Sequence, residues 1–186
     1  QRLFLAALTA LPVYLLLRVW FLRSNSVPRN RLRECLLCVF TLFLCGLLAL
    51  ALHPSASFEP EWPPYRVAVE RISSWQGINL IPFQTIVQYF HGSISIRFII
   101  NILANVFMFS PVGFFLPLFW KRWQPCFRII AVGLLGSTTI EVLQLFIGRT
   151  VDIDDVILNT LGVLVGYCCC SLLQRTLPRS ARLSLP

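Results

Sequence analysis

Charged side chains are scarce in this sequence. Only 13% of its 186 residues are charged, whereas 56% are hydrophobic and the mean hydropathy is +0.73. A soluble domain carries about 25% charged residues, so the composition indicates a membrane protein, of one domain by its length. The 16 basic residues outnumber the 8 acidic ones. In so apolar a chain, this excess is better explained by loop charge that sets membrane orientation than by a nucleic-acid partner.

The sequence also lacks the short motifs of several enzyme classes. It contains no Gly-rich phosphate-binding loop, no nucleophilic Gly-x-Ser-x-Gly and no His-Glu-x-x-His metal pair. Both histidines, His53 and His91, fall in one loop. The 7 cysteines include a Cys35-x-x-Cys38 pair, but no second pair or histidine completes a metal site. We therefore interpret the cysteines as apolar packing residues and expect neither a metal nor another cofactor.

Apolar runs long enough for a membrane helix occur five times. A helix needs about 20 such residues to cross the hydrocarbon of a bilayer. The runs are residues 3–22, 35–52, 98–120, 129–147 and 156–173. Positive charge follows the first run rather than preceding it, which favours a spanning helix over a cleaved signal peptide. The predicted fold class is all-α, a polytopic membrane protein with about five transmembrane helices.

Loop charges predict the orientation of these helices. Ten basic residues fall on one side, which the positive-inside rule makes cytoplasmic, and six acidic residues fall on the other. The N-terminus is therefore expected outside and the C-terminus in the cytoplasm. The basic residues are Arg23, Arg29, Arg31, Arg33, Lys121, Arg122, Arg128, Arg175, Arg179 and Arg182, and the acidic ones are Glu59, Glu61, Glu70, Asp152, Asp154 and Asp155.

The same pattern predicts three parts of the chain. Residues 1–34 form an extra N-terminal helix and a basic loop, residues 35–173 the main transmembrane domain, and residues 174–186 a basic cytoplasmic tail. Within the domain, residues 53–96 form a long outer loop, rich in aromatic residues of the kind that concentrate at headgroup depth. A short surface helix is expected over Tyr65–Ser74.

Polar side chains interrupt three of the predicted helices, each time on one face. Such groups are costly in hydrocarbon unless they are paired or line a cavity, so they indicate a site. At about 1.5 Å of rise per residue, the three faces converge in the outer half of the bilayer. The residues are Asn101 and Asn105 on the third helix, Ser137, Glu141 and Gln144 on the fourth, and Asp155 and Asn159 on the fifth, with Arg149 and Asp152 at the mouth.

Each of these residues also has a structural interpretation. Asn101 and Gln144 are equally suited to hydrogen bonding between helices, and Arg149 to anchoring at the interface. Asp152 is expected to cap the fifth helix through the amide of Asp155. Glu141 needs a partner, such as Arg149, or a proton.

Two further features of the helices lead to weaker expectations. Asp152, Asp154 and Asp155 have the chemistry, but no distinctive spacing, of a divalent-cation site. Pro111 and Pro117 predict a kink or break in the third helix, and Gly162 and Gly166 a close helix contact on the fifth.

In their order, these residues resemble the VanZ-like family of bacterial membrane proteins, over roughly residues 33–173. The resemblance implies an all-helical, multi-pass protein of the bacterial cytoplasmic membrane. The family's founding member is associated with low-level resistance to the glycopeptide teicoplanin. The motif residues are Asn79-Leu80-Ile81-Pro82-Phe83, Asn101, Asn105-Val106-Phe107, Pro111, Gly113, Glu141, Gln144, Arg149, Asp152, Asp155, Asn159 and Gly162.

Two functions are compatible with this pattern. In the first, an outward-facing polar pocket binds a lipid-linked cell-wall precursor or a lipoglycopeptide at Asn101, Asn105, Glu141, Gln144, Arg149, Asp152, Asp155 and Asn159. In the second, a membrane enzyme uses Glu141 or Asp155 as general acid or base, with Arg149 orienting an anionic group. Five helices without an internal repeat argue against a third function, a proton-coupled transporter.

Overall fold

The chain divides into two units, Gln1–His53 and Pro54–Pro186. The computed structural model describes residues 31–54, 65–84, 87 and 96–176, with the side chains of Arg97 and Phe98 left out. In the first unit, helix α1 spans Arg31–Ala51 and buries Leu37, Phe40 and Leu47 along one face. It begins four residues before the predicted residue 35 and so takes Arg31 and Arg33 into its first turn. The predicted helix over residues 3–22 lies outside the described residues.

The second unit contains four α-helices, a short 3-10 helix and one pair of very short strands among its described residues. The expected surface helix is confirmed, with the predicted bounds. Strands β1 and β2 pair in parallel, with Ile78 opposite Val151. In chain order the elements are α2 (Tyr65–Ser74), β1 (Ile78–Asn79), α3 (Ile96–Phe119), the 3-10 helix (Lys121–Trp123), α4 (Cys126–Leu145), β2 (Val151–Asp152) and α5 (Ile153–Thr176).

Four of the described helices, α1, α3, α4 and α5, are long and apolar enough to cross a membrane. They correspond to the last four predicted runs, so a mostly helical, multi-pass membrane protein is confirmed. Predicted and observed ends differ by up to three residues at either end of α4 and α5, because helix caps and turns, rather than hydropathy, fix those ends.

Helices α3 and α5 make the most extensive helix contact in the second unit. Glycines let their backbones approach closely, as small residues do at membrane helix interfaces. A Cβ atom on Gly113 would lie 1.7 Å from the carbonyl oxygen of Val163, and one on Gly166 would lie 1.8 Å from that of Ser110. Since neither position tolerates a side chain, these glycines set the spacing that brings the polar residues of α3 and α5 together.

Helix α3 continues through both of its prolines, so the predicted break does not occur. Pro111 has no N–H group to donate to the carbonyl of Phe107, one turn earlier. Ser110 Oγ donates to that carbonyl oxygen at 3.0 Å instead. The hydroxyl therefore replaces the missing backbone hydrogen bond and keeps the helix intact.

A tight turn joins α4 to β2 and α5. The N–H of Arg149 donates to the carbonyl of Gln144 at 3.1 Å, and Gly148 adopts φ 71°, an arrangement typical of glycine-terminated helix ends. The guanidinium of Arg71, on α2, donates to the carbonyl oxygens of Gly148 and Arg149 at 2.8 and 2.7 Å. Arg71 thus joins residues 65–84 to the end of α4 that carries the predicted site.

Candidate functional site

The polar face of α4 is buried. Ser137, Glu141 and Gln144 have exposed fractions of 0%, 3% and 6%. They follow one another at one-turn spacing and point to the same side of the helix. This buried face of α4 therefore forms part of the interior of the site.

Glu141 holds the start of α5. Its Oε2 atom accepts a hydrogen bond from the backbone N–H of Asp152 at 3.0 Å. The turn between α4 and β2 reverses the chain and so brings the N–H of Asp152 to the side chain of Glu141. A buried carboxylate that accepts from a backbone amide is oriented and partly compensated for its loss of water.

Asp152 links three segments of the chain. Its Oδ1 atom accepts from Asn79 Nδ2 at 3.0 Å and from the N–H of Asp154 at 2.9 Å. Asp152 is thus the N-cap of α5, as expected. The bond to the amide of Asp154 satisfies the second residue of a helix that begins at Ile153, whereas the prediction named the amide of Asp155, the third residue.

Asp154 is the most deeply buried carboxylate of the site, with an exposed fraction of 2%. Its Oδ1 atom accepts from the N–H of Phe83 at 2.5 Å. Phe83 adopts φ 64°, a left-handed conformation that is unusual for an aromatic residue. This bond joins the start of α5 to residues 65–84.

Hydrogen bonds connect α5 to α3 and to α4. Asp155 Oδ1 accepts from Asn105 Nδ2 at 2.6 Å, and Asn159 Nδ2 donates to Ser137 Oγ at 2.8 Å. Asn159 is 4% exposed, and its Oδ1 atom has no hydrogen-bond partner among the described residues. A buried amide oxygen without a donor is uncommon in proteins. The amide oxygen of Asn159 is therefore an unused acceptor in the buried part of the network that the structure describes.

Arg149 lies at the rim and is half-buried. It is near enough to Glu141 and Asp155 to interact with both electrostatically. Asn101, by contrast, is exposed one turn away from Asn105. The structure thus brings together seven of the eight predicted ligand-binding residues, all except Asn101, together with Ser137 of the predicted polar face. It adds Asn79, Asp154 and Arg71.

The acidic cluster is distributed over separate donors rather than gathered around one point. Asp152, Asp154 and Asp155 accept from Asn79, Phe83 and Asn105 respectively. In the part of the chain that the structure describes, no group of three or more His, Cys, Asp or Glu side chains is placed to hold a metal ion.

Two cavities lie among these elements, and the first borders the network through Asn79 and Asp152. A cavity of about 390 Å³ opens beside β1 and β2, and Asn79, Gln84 and Asp152 are among its polar lining residues. An apolar groove of similar volume runs between α3 and α5, lined by Leu103, Val106, Phe107, Phe114 and Val165 among others. The first offers space for polar groups and the second for hydrocarbon.

The family comparison agrees with this arrangement. The sequence model of the VanZ/LLP1 family matches residues 37–174, well over half of the chain. No curated protein and no solved structure matches the chain significantly. The match covers α3, α4, all but the last two residues of α5, and every residue of the network described above. Together with its four membrane-compatible helices, this shows that the chain belongs to the VanZ-like family of membrane proteins.

Proposed function

We propose that this VanZ-like protein binds a lipid-linked envelope component or a lipoglycopeptide at the polar network, and thereby contributes to glycopeptide resistance. The observation that carries the proposal is the convergence of acidic and amide side chains from three apolar helices. Such groups in a membrane protein mark ligand or ion sites by default. Here the Asn105–Asp155 bond joins α3 to α5, the Asn159–Ser137 bond joins α5 to α4, and the bond from Asp152 to Glu141 joins β2 to α4.

The degree of burial distinguishes residues that would contact a ligand from residues that would only support those contacts from beneath. Asn105, Arg149, Asp152 and Asp155 are half-buried and border open space. Glu141, Gln144 and Asn159 are buried beneath them. The carboxylate and amide oxygens would accept from hydroxyl, amide or amine groups, while Arg149 would pair with an anionic group.

The apolar groove supports a ligand with an acyl or isoprenoid chain. The groove and the network share α3 and α5, since Leu103, Val106 and Phe107 line the groove and Asn105 donates to Asp155. A ligand for this protein would combine a polar head for the network with a hydrocarbon chain for the groove. Teicoplanin carries an acyl chain and lipid-linked precursors carry an isoprenoid chain, so both combine the two chemistries.

Orientation and location form part of the same proposal. The end of the helices with Asp152 would face outward and the end with Lys121 and Arg122 would face the cytoplasm, in accord with the positive-inside rule. The protein would lie in the bacterial cytoplasmic membrane, with residues 35–173 as its functional domain, residues 1–34 as an added helix and loop, and residues 174–186 as a tail. In this orientation the polar network would lie in the leaflet where wall precursors and glycopeptides are found.

The first experiment measures teicoplanin and vancomycin susceptibility in a sensitive Gram-positive host. Wild type is compared with Asp155→Asn, which keeps an oxygen for Asn105 but removes the charge, and with Glu70→Gln, an exposed carboxylate on α2, as the matched control. Wild type and Glu70→Gln should protect against teicoplanin, and Asp155→Asn should not, at equal membrane abundance. If all three proteins protect equally, the network is not needed for the function. If wild type does not protect, the proposed role in resistance is wrong.

A second candidate function is catalysis at the same place. It is favoured by the geometry of Asp155, which is half-buried and oriented by Asn105, as a general base requires. Glu141, the other candidate acid or base, is only 3% exposed and already accepts from Asp152. In the binding protein, Glu141→Gln should reduce affinity only modestly. In the enzyme, Asp155→Asn should abolish product formation from a lipid-linked precursor while the precursor still binds.

A further inference from the structure

A second polar cavity lies at the opposite end of the spanning helices. Its volume is about 220 Å³, and it is formed by the end of α3, the connection to α4 and the last turns of α5. The lining residues are Pro117, Gln124, Tyr167, Ser171, Gln174 and Arg175. None of them belongs to the site described above, and this cavity plays no part in the proposed function.

Hydrogen bonds inside this cavity occupy its backbone acceptors. Tyr167 donates its hydroxyl proton to the carbonyl oxygen of Gln124 at 2.9 Å, and Gln174 Nε2 donates to that of Pro117 at 3.2 Å. Carbonyl oxygens would otherwise repel an anion. With both of them engaged, Ser171 and Arg175 supply donor groups among the side chains that line the cavity.

The surroundings of the cavity are positively charged. Lys121, Arg122 and Arg128 are exposed near Gln124, and Arg128 Nη1 donates to the carbonyl oxygen of Arg122 at 2.6 Å. Helix α4 begins two residues after Gln124 without a side-chain cap, so the partial positive charge of its N-terminus adds to theirs. The sequence contains no acidic residue at positions 71–140 or 156–186 to offset these charges.

The position of the cavity along the helices corresponds to the headgroup layer of a membrane. α3 ends and α4 begins here, at Phe119 and Cys126, and Trp120 and Trp123 lie between them. Tryptophan concentrates at this depth, and basic pockets between membrane helices bind the head groups of anionic lipids. The planar guanidinium of Arg175 matches a phosphate in geometry as well as in charge.

We propose that this cavity binds the phosphate group of an anionic phospholipid, with Arg175 and Ser171 as its donors and the cations of residues 121–128 as its electrostatic surroundings. The lipid tails would follow the outer surfaces of α3 and α5. The site would hold the basic end of the helices at a fixed depth and would select anionic over zwitterionic lipid.

Native mass spectrometry of the intact chain in an uncharged detergent tests this proposal. Phosphatidylglycerol and phosphatidylcholine with identical acyl chains are titrated separately. Wild type should bind phosphatidylglycerol more tightly. Arg175→Gln should lower that affinity by about fivefold, the factor that corresponds to about 1 kcal/mol for one basic group near anionic lipid. Arg66→Gln, at an exposed position on α2, is the matched control and should leave the affinity unchanged.

A second variant acts on the cavity without altering charge. Ser171→Leu fills it with a side chain that suits a membrane helix, and it should abolish the preference for phosphatidylglycerol in a protein that remains folded. The proposal is overturned if wild type binds both lipids equally, or if Arg175→Gln and Ser171→Leu retain wild-type affinity. It is also overturned if millimolar inorganic phosphate displaces the lipid, since the site would then be one for free phosphate.

Discussion

The two ends of the helices in the second unit differ in charge and in construction. At the acidic end, side chains reach across the sequence to backbone groups, as Arg71 does to Gly148 over 77 residues and Asp154 does to Phe83 over 71 residues. At the basic end, charged side chains bond locally, as Arg128 does to Arg122 over 6 residues. Charged side chains thus join distant segments at the acidic end, whereas at the basic end the long-range bonds come from the uncharged Tyr167 and Gln174 and the charges stay exposed.

This difference follows from burial. Asp154 and Glu141 are almost inaccessible, so each requires a hydrogen-bond donor to replace lost water. Lys121, Arg122 and Arg128 are exposed and keep their hydration. Changes at the acidic end should therefore alter stability and shape, while changes at the basic end should alter affinity for anions and leave the fold intact.

The largest effect is expected at the helix contact that supports both ends. In Gly166→Ala, the new Cβ atom would lie 1.8 Å from the carbonyl oxygen of Ser110, so α3 and α5 must separate. Overpacking of this kind costs about 1–3 kcal/mol and sometimes more, and contact with backbone leaves little room for relaxation. Thermal unfolding in detergent should show a large loss of stability and of folded yield.

Gly136 on α4 supplies the control for that substitution. A Cβ atom there would meet nothing within 4 Å. Gly136→Ala should therefore be neutral or slightly stabilising, because alanine favours a helix over glycine by up to about 1 kcal/mol. Equal losses for the two variants would show that the close contact of α3 and α5 is not a feature of the folded protein.

The next largest effect should come from Glu141 at the acidic end. Glu141→Leu removes the acceptor for the N–H of Asp152, and an unmade hydrogen bond of this kind costs about 1–3 kcal/mol. Glu141→Gln retains an oxygen that can accept the same bond. The unfolding midpoint should therefore fall clearly for Glu141→Leu and only slightly for Glu141→Gln. If leucine is tolerated as well as glutamine, the bond to Asp152 does not stabilise the fold.

A smaller and more local effect is expected for Arg71→Gln. The change removes two hydrogen bonds to the end of α4. Since Arg71 is half-buried, both bonds compete with water, and we expect a total loss of about 0.5–1.5 kcal/mol, the range of a single typical hydrogen bond. Hydrogen exchange should rise in residues 65–79, with little change in α4 and α5. Faster exchange throughout α4 and α5 would contradict the local role of Arg71.

Periodicity in the sequence predicted much of this architecture. The apolar runs located α1, α3, α4 and α5, and helical spacing placed Glu141 with Gln144 and Asn105 with the face that contacts α5. Local sequence also gave the bounds of α2. These features depend on residues near one another in the chain, where a period of 3.6 is informative.

The remaining features depend on contacts between residues that are far apart in the chain. Arg71 lies 78 residues from Arg149, and Asn79 lies 73 from Asp152, so no periodic pattern connects them. The exposure of individual side chains could not be predicted from the periodic pattern either. Asn101 and Asn105 share a helix face, but only Asn105 reaches a partner on α5. One face of a helix is wider than the area that a neighbouring helix covers, so the packing of that neighbour decides which residues of the face are buried.

The smallest effect is expected for Arg128→Gln, which applies to the basic end the same substitution as Arg71→Gln. Arg128 also donates to a backbone carbonyl, but it forms one exposed bond to a residue 6 positions away. Surface changes of this type usually alter stability by no more than about 0.5 kcal/mol. Thermal unfolding should therefore not distinguish Arg128→Gln from wild type, while binding of anionic lipid should weaken. If Arg128→Gln destabilised the protein as much as Arg71→Gln, both ends would be structural, and the contrast in construction would carry no functional meaning.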